Sequence, residues 1–161
     1  MQLTRIISKL FVILASCALA SCAVAQPMPS YGAALNLETA KKIAAAASVE
    51  AKKNSWPMAI AIVDNHGTLV YYEMADDTQT ASAGIAVDKA RSAATFRRPT
   101  KAFEDAVAGG RVAILGLAGA VPIEGGVPIV VGGKIVGAIG VSGAAAPQDG
   151  QVAKAGLEAL K

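Results

Sequence analysis

Thiols, aromatic rings and histidine are all scarce in this sequence. Its 161 residues include two cysteines, one histidine and one tryptophan, and only 4% are aromatic. Cys17 and Cys22 both fall within the first 25 residues. The rest of the chain therefore has no thiol, which excludes disulfides, thiolate–metal sites and a cysteine nucleophile there. A lone histidine with scattered carboxylates cannot build the usual tetrahedral zinc site. Charge is thin as well, at 17% against a usual quarter or so. Arg5 and Lys9 are two of the 15 basic residues, leaving 13 to face 12 acidic ones beyond residue 25. So even a balance excludes a basic nucleic-acid binder. After residue 25 every apolar run is broken by Gly, Pro or charge, so no membrane span is expected. With 53% hydrophobic residues spread along the whole chain, disorder is excluded too.

Residues 1–25 read as a signal peptide: Arg5 and Lys9 form the charged region, Leu10–Ala20 the apolar run, and Ala23-Val24-Ala25 a cleavage site before Gln26. The apolar run is about half of the roughly 20 residues that a span needs. A second processing route competes, since Leu19-Ala20-Ser21-Cys22 resembles a bacterial lipobox. Cleavage between Ala25 and Gln26 gives a free periplasmic or secreted product, whereas lipidation of Cys22 gives a membrane-anchored one.

Residues 26–35 hold Pro27, Pro29 and Gly32 without periodicity and read as a linker to a domain over 36–161. Asn36 is placed to cap a helix to Lys53, whose inner stripe is Leu37, Ala40, Ile43, Ala44, Ala47 and Ala51. Met58–Val63 is apolar at every position and predicts a central strand. Asp64-Asn65-His66-Gly67 is turn chemistry with Asp64 as an Asx-turn residue, and Thr68–Met74 returns as a second strand. Ala81–Phe96 predicts a helix ended by Pro99, with Thr100 capping another over 101–108. The last third predicts strands, among them Val127–Val131 and Lys134–Val141 around Gly132-Gly133, then a helix from Asp149 to Leu160. Pro128 suggests an edge strand, and Gly137 and Gly140 leave flat spots for a close approach. The order α-β-β-α-α-β-β-β-α implies a mostly antiparallel sheet flanked by helices.

Several familiar chemistries are excluded. Gly137-x-x-Gly140-x-x-Gly143 has the wrong spacing for a dinucleotide fingerprint and lies in and beyond a strand. Gly132-Gly133-Lys134 lacks the Ser or Thr of a phosphate loop. No Gly-x-Ser-x-Gly elbow precedes a helix, so His66 has no serine to activate. With no acid–base or nucleophilic constellation, an enzyme is not expected.

The chain resembles the GlcG/HbpS family of haem-binding or haem-degrading domains over nearly all of residues 35–160. The resemblance rests on Ala61-Ile-Val-Asp64 with Gly67, and on Ser82-x-x-Ile85-Ala86 leading to Lys89-Ala90. It continues through Ala94-x-Phe96-Arg97-Arg98-Pro99-Thr100 and Gly125-Gly126-Val-Pro-Ile-Val130. The longest stretch is Gly133-x-x-Val136-Gly-Ala-Ile-Gly-Val-Ser-Gly143, followed by Asp149. This resemblance implies an α+β, profilin-like, three-layer fold with a five-stranded antiparallel sheet between helical layers. It also implies homo-oligomers and, for exported members, haem as the ligand, with corrinoids a lesser prospect.

Haem requires an apolar wall, cations for its propionates and an axial iron ligand. Lys89, Arg91, Arg97 and Arg98 are the rim candidates, with Arg favoured because its fork matches a carboxylate. Against this, Arg91 can simply pair with Asp88 along the helix. His66 is the sole histidine and so an axial candidate, although its turn setting suggests mere exposure. The resemblance also points to Thr100 as a haem-contact position and so as a second, unusual candidate for the iron ligand, against the helix-capping reading. Tyr71 and Tyr72 alternate on one strand, so one faces inward; Met58 and Met74 are expected in the core. The competing reading is a sensor or structural module that binds a small organic acid or partner protein and has no physiological use for haem.

Overall fold

The computed structural model describes residues 28–161; the signal-peptide and lipobox readings, with Cys22, Ala25 and Gln26, lie outside them. The elements run β1 (Ser30–Tyr31), α1 (Leu37–Lys53), β2 (Ala59–Asp64), β3 (Leu69–Met74), α2 (Ser82–Phe96), α3 (Lys101–Ala108), β4 (Gly126–Val131), β5 (Lys134–Ser142) and α4 (Ala146–Leu157). Short 3₁₀ turns cover Val112–Gly116 and Glu158–Leu160. No helix among the described residues is long and apolar enough to cross a membrane.

The strands form one five-stranded sheet in which β5 is central. It pairs antiparallel with β2 on one side and with β4 on the other, and β2 pairs antiparallel with β3. Beyond the end of β2, β1 pairs parallel with the start of β5, Ser30 opposite Lys134 and Tyr31 opposite Ile135. The expected antiparallel sheet is therefore corrected to a mixed one. The fifth strand does not come from the last third, where the element order implies three strands; after α3 the described residues form only β4 and β5. It comes from the segment read as a linker.

Alternation assigns the two faces. Ile60 and Ile62 of β2, with Ile139 and Val141 of β5, pack against Ala40, Ile43, Ala44 and Ala47 of α1 and against Val152 and Ala153 of α4. Ala59, Ala61, Val63 and Ala138 face the alanines of α2. β2 is thus buried on both faces, as its unbroken apolar run requires. The small-residue face lets α2 sit unusually low: a Cβ on Gly140 would collide with the Ala86 carbonyl and lie 2.5 Å from the Ala90 nitrogen. Gly140 is therefore the flat spot that sets the depth of α2.

Helix ends follow local chemistry, with two corrections. Asn36 Oδ1 accepts from the Thr39 N–H at 2.8 Å, the expected cap of α1, although Leu37 at its start is exposed. Thr100 does not cap α3 through its side chain: it is already helical in backbone, and its Oγ1 accepts the Gly126 N–H at 2.9 Å. α4 starts three residues before Asp149, because Pro147 fits a first turn and Asp149 is turned inward. Pro128 lies on β4, which among the described residues pairs only with β5, as an edge strand demands.

Candidate functional site

The corner between α2 and α3 holds Arg97, Arg98 and Thr100 of the candidate residues. Helix α2 ends because Arg97 is left-handed, at φ 55 and ψ 36, and because Pro99 cannot continue it. That conformation costs a residue with a Cβ roughly 1–2 kcal/mol. The reversal sends the two neighbouring arginines to different aromatic rings. The Arg97 guanidinium carbon stands 5.5 Å from the Tyr31 ring centroid, and that of Arg98 stands 5.5 Å from the Phe103 centroid. Tyr31 is held by its hydroxyl, which donates to the carbonyls of Ala94 at 3.1 Å and Thr95 at 2.9 Å. Strand β1 thereby latches onto the last turn of α2.

Arg98 is further fixed by its Nε, which donates to the Phe96 carbonyl at 3.2 Å, and by Nη2, 3.2 Å from Met28 Sδ. Phe96 and Phe103 meet edge-to-face with centroids 5.2 Å apart. Together with Ala102, Ala106, Ile114 and Leu117 they wall a cleft of about 240 Å³ that Arg98 and Arg111 also line. Among the described residues, none of Arg97, Arg98 and Arg111 has a carboxylate within ion-pair distance. Arg98 and Arg111 at the apolar cleft, with Arg97 on the Tyr31 ring outside its lining, can receive carboxylates or other oxyanions bidentately.

The other candidates are placed differently. Arg91 Nε donates to the Gly67 carbonyl at 3.3 Å, and its Nη1 is 4.0 Å from Asp88 with both side chains exposed. It ties α2 to the β2–β3 turn. His66 is exposed in that turn; Asp64 Oδ1 accepts from the backbone N–H of His66 at 2.8 Å and of Thr68 at 2.9 Å. The Asx turn stands, and His66 is not among the cleft's lining. Lys89 is 1% exposed and so belongs to no rim. Its Nζ donates to Asp149 Oδ2 at 2.7 Å and to the Val141 carbonyl at 3.2 Å. Burial pushes the Asp149 carboxyl above its usual range, with the hydrogen bond and charge of Lys89 working in the opposite direction. Thr100 is fully buried, and its N–H donates to the same Gly126 whose N–H its hydroxyl accepts.

Tyr71 and Tyr72 lie half-buried against opposite cores. The Tyr71 hydroxyl donates to Glu73 Oε2 at 3.0 Å, which holds its pKa above the ordinary phenol value. Met58 is in the core, whereas Met74 is exposed. No group of three or more His, Cys, Asp or Glu side chains among the described residues is arranged to hold a metal ion. Sequence reasoning did not single out Tyr31, Phe103 or Arg111. Arg111 follows the Gly109-Gly110 stop of α3 and Phe103 lies on the inner face of that helix, so both carried a positional signal; Tyr31 carried none.

The sequence model of the HbpS-like family, described as haem degrading protein HbpS-like, matches residues 35–158. The chain belongs to the HbpS-like family. Protein GlcG of Escherichia coli (strain K12) is 44% identical over 108 residues, which cover 67% of this chain and 81% of the relative. A doubly substituted HbpS of Streptomyces reticuli superposes with a TM-score of 0.74 at 30% identity, over 89% of this chain and 99% of that one. PduOC, solved as a haem complex, superposes with a TM-score of 0.71 at 27% identity, over 78% of this chain and 94% of its own.

Proposed function

We propose that this HbpS-like chain is an exported haem-binding protein, serving haem sequestration, transport, sensing or slow degradation. The observation that carries the reading is the pair Arg97 and Arg98, each stacked on an aromatic ring and neither neutralised by a carboxylate among the described residues. Propionates would dock on these guanidinium groups while the ring edge enters the apolar cleft beside Phe96 and Phe103. The solved haem complex of PduOC supports haem as the ligand. Export rests on Arg5, Lys9 and the Ala25–Gln26 junction, with Cys22 as the lipid-anchored alternative. The exposed apolar side chains of Val112, Leu115 and Leu117 support self-association beside the cleft.

The residues present fit the periphery of haem better than its iron. Nothing lining the cleft is a strong axial ligand, the Thr100 hydroxyl is committed to Gly126, and His66 sits in a different turn. A haem held chiefly by its edge and carboxylates suits sequestration and hand-over. Titrating hemin into the full chain should give a saturable Soret change. Replacing both arginines, Arg97→Ala and Arg98→Ala, should weaken it by roughly tenfold, the loss of two partly exposed ion pairs. His66→Ala should leave it unchanged. A featureless titration overturns the reading.

One observation favours the competing reading of a small-molecule or partner-binding module. The cleft of about 240 Å³ is below the roughly 300–1,000 Å³ of ordinary small-molecule sites, a better match to a small organic acid than to a whole macrocycle. Mass spectrometry of the natively isolated protein separates the two, since a bound acid without haem supports the second.

A further inference from the structure

The end of the β2–β3 hairpin away from its turn holds a groove that the haem reading does not use. Helix α1 closes at Lys53, and Ser55 is left-handed at φ 56. The backbone N–H of Trp56 then returns to the Ala51 carbonyl at 3.0 Å. This half-buried indole, the only tryptophan in the chain, lines two adjoining cavities of about 210 and 420 Å³, which also share Lys52 and Ala75. The smaller one is apolar at Ala51, Met58 and Ile60 and carries Glu73; the larger opens onto Asp76 and Asp77. Among the described residues, neither Asp76 nor Asp77 takes part in an ion pair. Among the described residues, Lys52 is the single cation lining either cavity, against the three carboxylates of Glu73, Asp76 and Asp77.

We propose that this groove is a second ligand site, taking a small organic amine whose apolar tail lies against Met58 and Ile60 while its ammonium lies between Trp56 and the Asp76–Asp77 pair. Three features favour that class over an anion. The lining carries an excess of negative charge. Tryptophan is the best aromatic face for a cation. An apolar recess beside a charged mouth suits a ligand with one polar end, in cavities whose larger member falls within the usual range. The proposal is independent of the arginine corner, which selects the opposite charge.

Trp56 is its own probe. Phenethylamine titrated into the full chain should shift tryptophan emission saturably, and 3-phenylpropionate, which carries a carboxylate on the same phenethyl group, should not. The double variant Asp76→Asn, Asp77→Asn should raise the phenethylamine Kd by roughly tenfold, with circular dichroism showing it folded. Arg98→Ala should leave that Kd unchanged. No saturable shift with phenethylamine, a preference for 3-phenylpropionate, or an unaltered Kd in the folded double variant would overturn the proposal.

Discussion

Removing one partner of the buried Lys89–Asp149 pair is the most demanding test of how this fold is held. The pair joins α2 to the first turns of α4 at the rim of the sheet, with Lys89 1% and Asp149 2% exposed. In Lys89→Met the carboxylate keeps its hydrogen bond from the Ala144 N–H at 3.2 Å but loses its cation. Stranding a buried charge in this way costs about 3–5 kcal/mol. The carboxyl, already raised by burial, rises further without Lys89. Its folded pKa then lies above the unfolded value near 3.9, so the folded state holds a proton that the unfolded state has released. Stability of the variant therefore increases as pH falls from the folded pKa towards the unfolded one. Urea titrations followed by Trp56 emission should show a larger deficit at pH 8 than at pH 5. Adding Asp149→Leu should recover most of the loss, because the uncompensated charge is gone. A deficit below about 1 kcal/mol at pH 8, or one flat with pH, would refute the pair as the fastener of α2.

Two further substitutions test the packing around it. Gly140→Ala places a methyl against the backbone of α2, 2.9 Å from the Ala90 Cβ. Because a helix backbone cannot rotate away, the loss should reach about 3 kcal/mol, the upper end for overpacking, read as a lower midpoint in the same urea titration. Thr100→Val keeps the side-chain volume but removes the acceptor of the Gly126 N–H. It should cost about 1–3 kcal/mol while leaving the hemin affinity of the folded protein unchanged; a selective loss of haem binding would instead place Thr100 at the ligand.

The strands and helices with strong periodicity were legible in the residues, because burial on one or two faces is what the pattern encodes. β2 reads as central since Ala59–Val63 must be covered twice, and Gly140 reads as a point of close approach since nothing else explains a glycine there. β1 was illegible for a physical reason. A two-residue strand cannot show a period, and its place is fixed by the Tyr31 hydroxyl on the carbonyls of Ala94 and Thr95, a contact between residues more than sixty positions apart. The sequence starts α4 at Asp149, three residues late; the Asp149 carboxylate is spent on Lys89 and the Ala144 N–H, a tertiary contact that no local pattern encodes.

The candidate site divides along the same line. Residue type made Lys89, Arg91, Arg97 and Arg98 equivalent as cations, yet helical phase separates the first two. Ser82, Ala86, Lys89 and Ala93 fall at spacings of three and four, and all are buried, so Lys89 stands on the inward stripe and needs an inward partner. Arg91 is off that stripe and exposed. The same period carried further could have assigned Lys89 to the core and pointed to a distant carboxylate such as Asp149. No such rule reaches Arg97 and Arg98, whose different aromatic partners follow from the left-handed Arg97 and from rings supplied by β1 and α3. That no carboxylate among the described residues pairs with them is a tertiary property. Under the proposed function it is also what would let the corner receive anions, since a cation left uncompensated by the chain is the one open to a ligand.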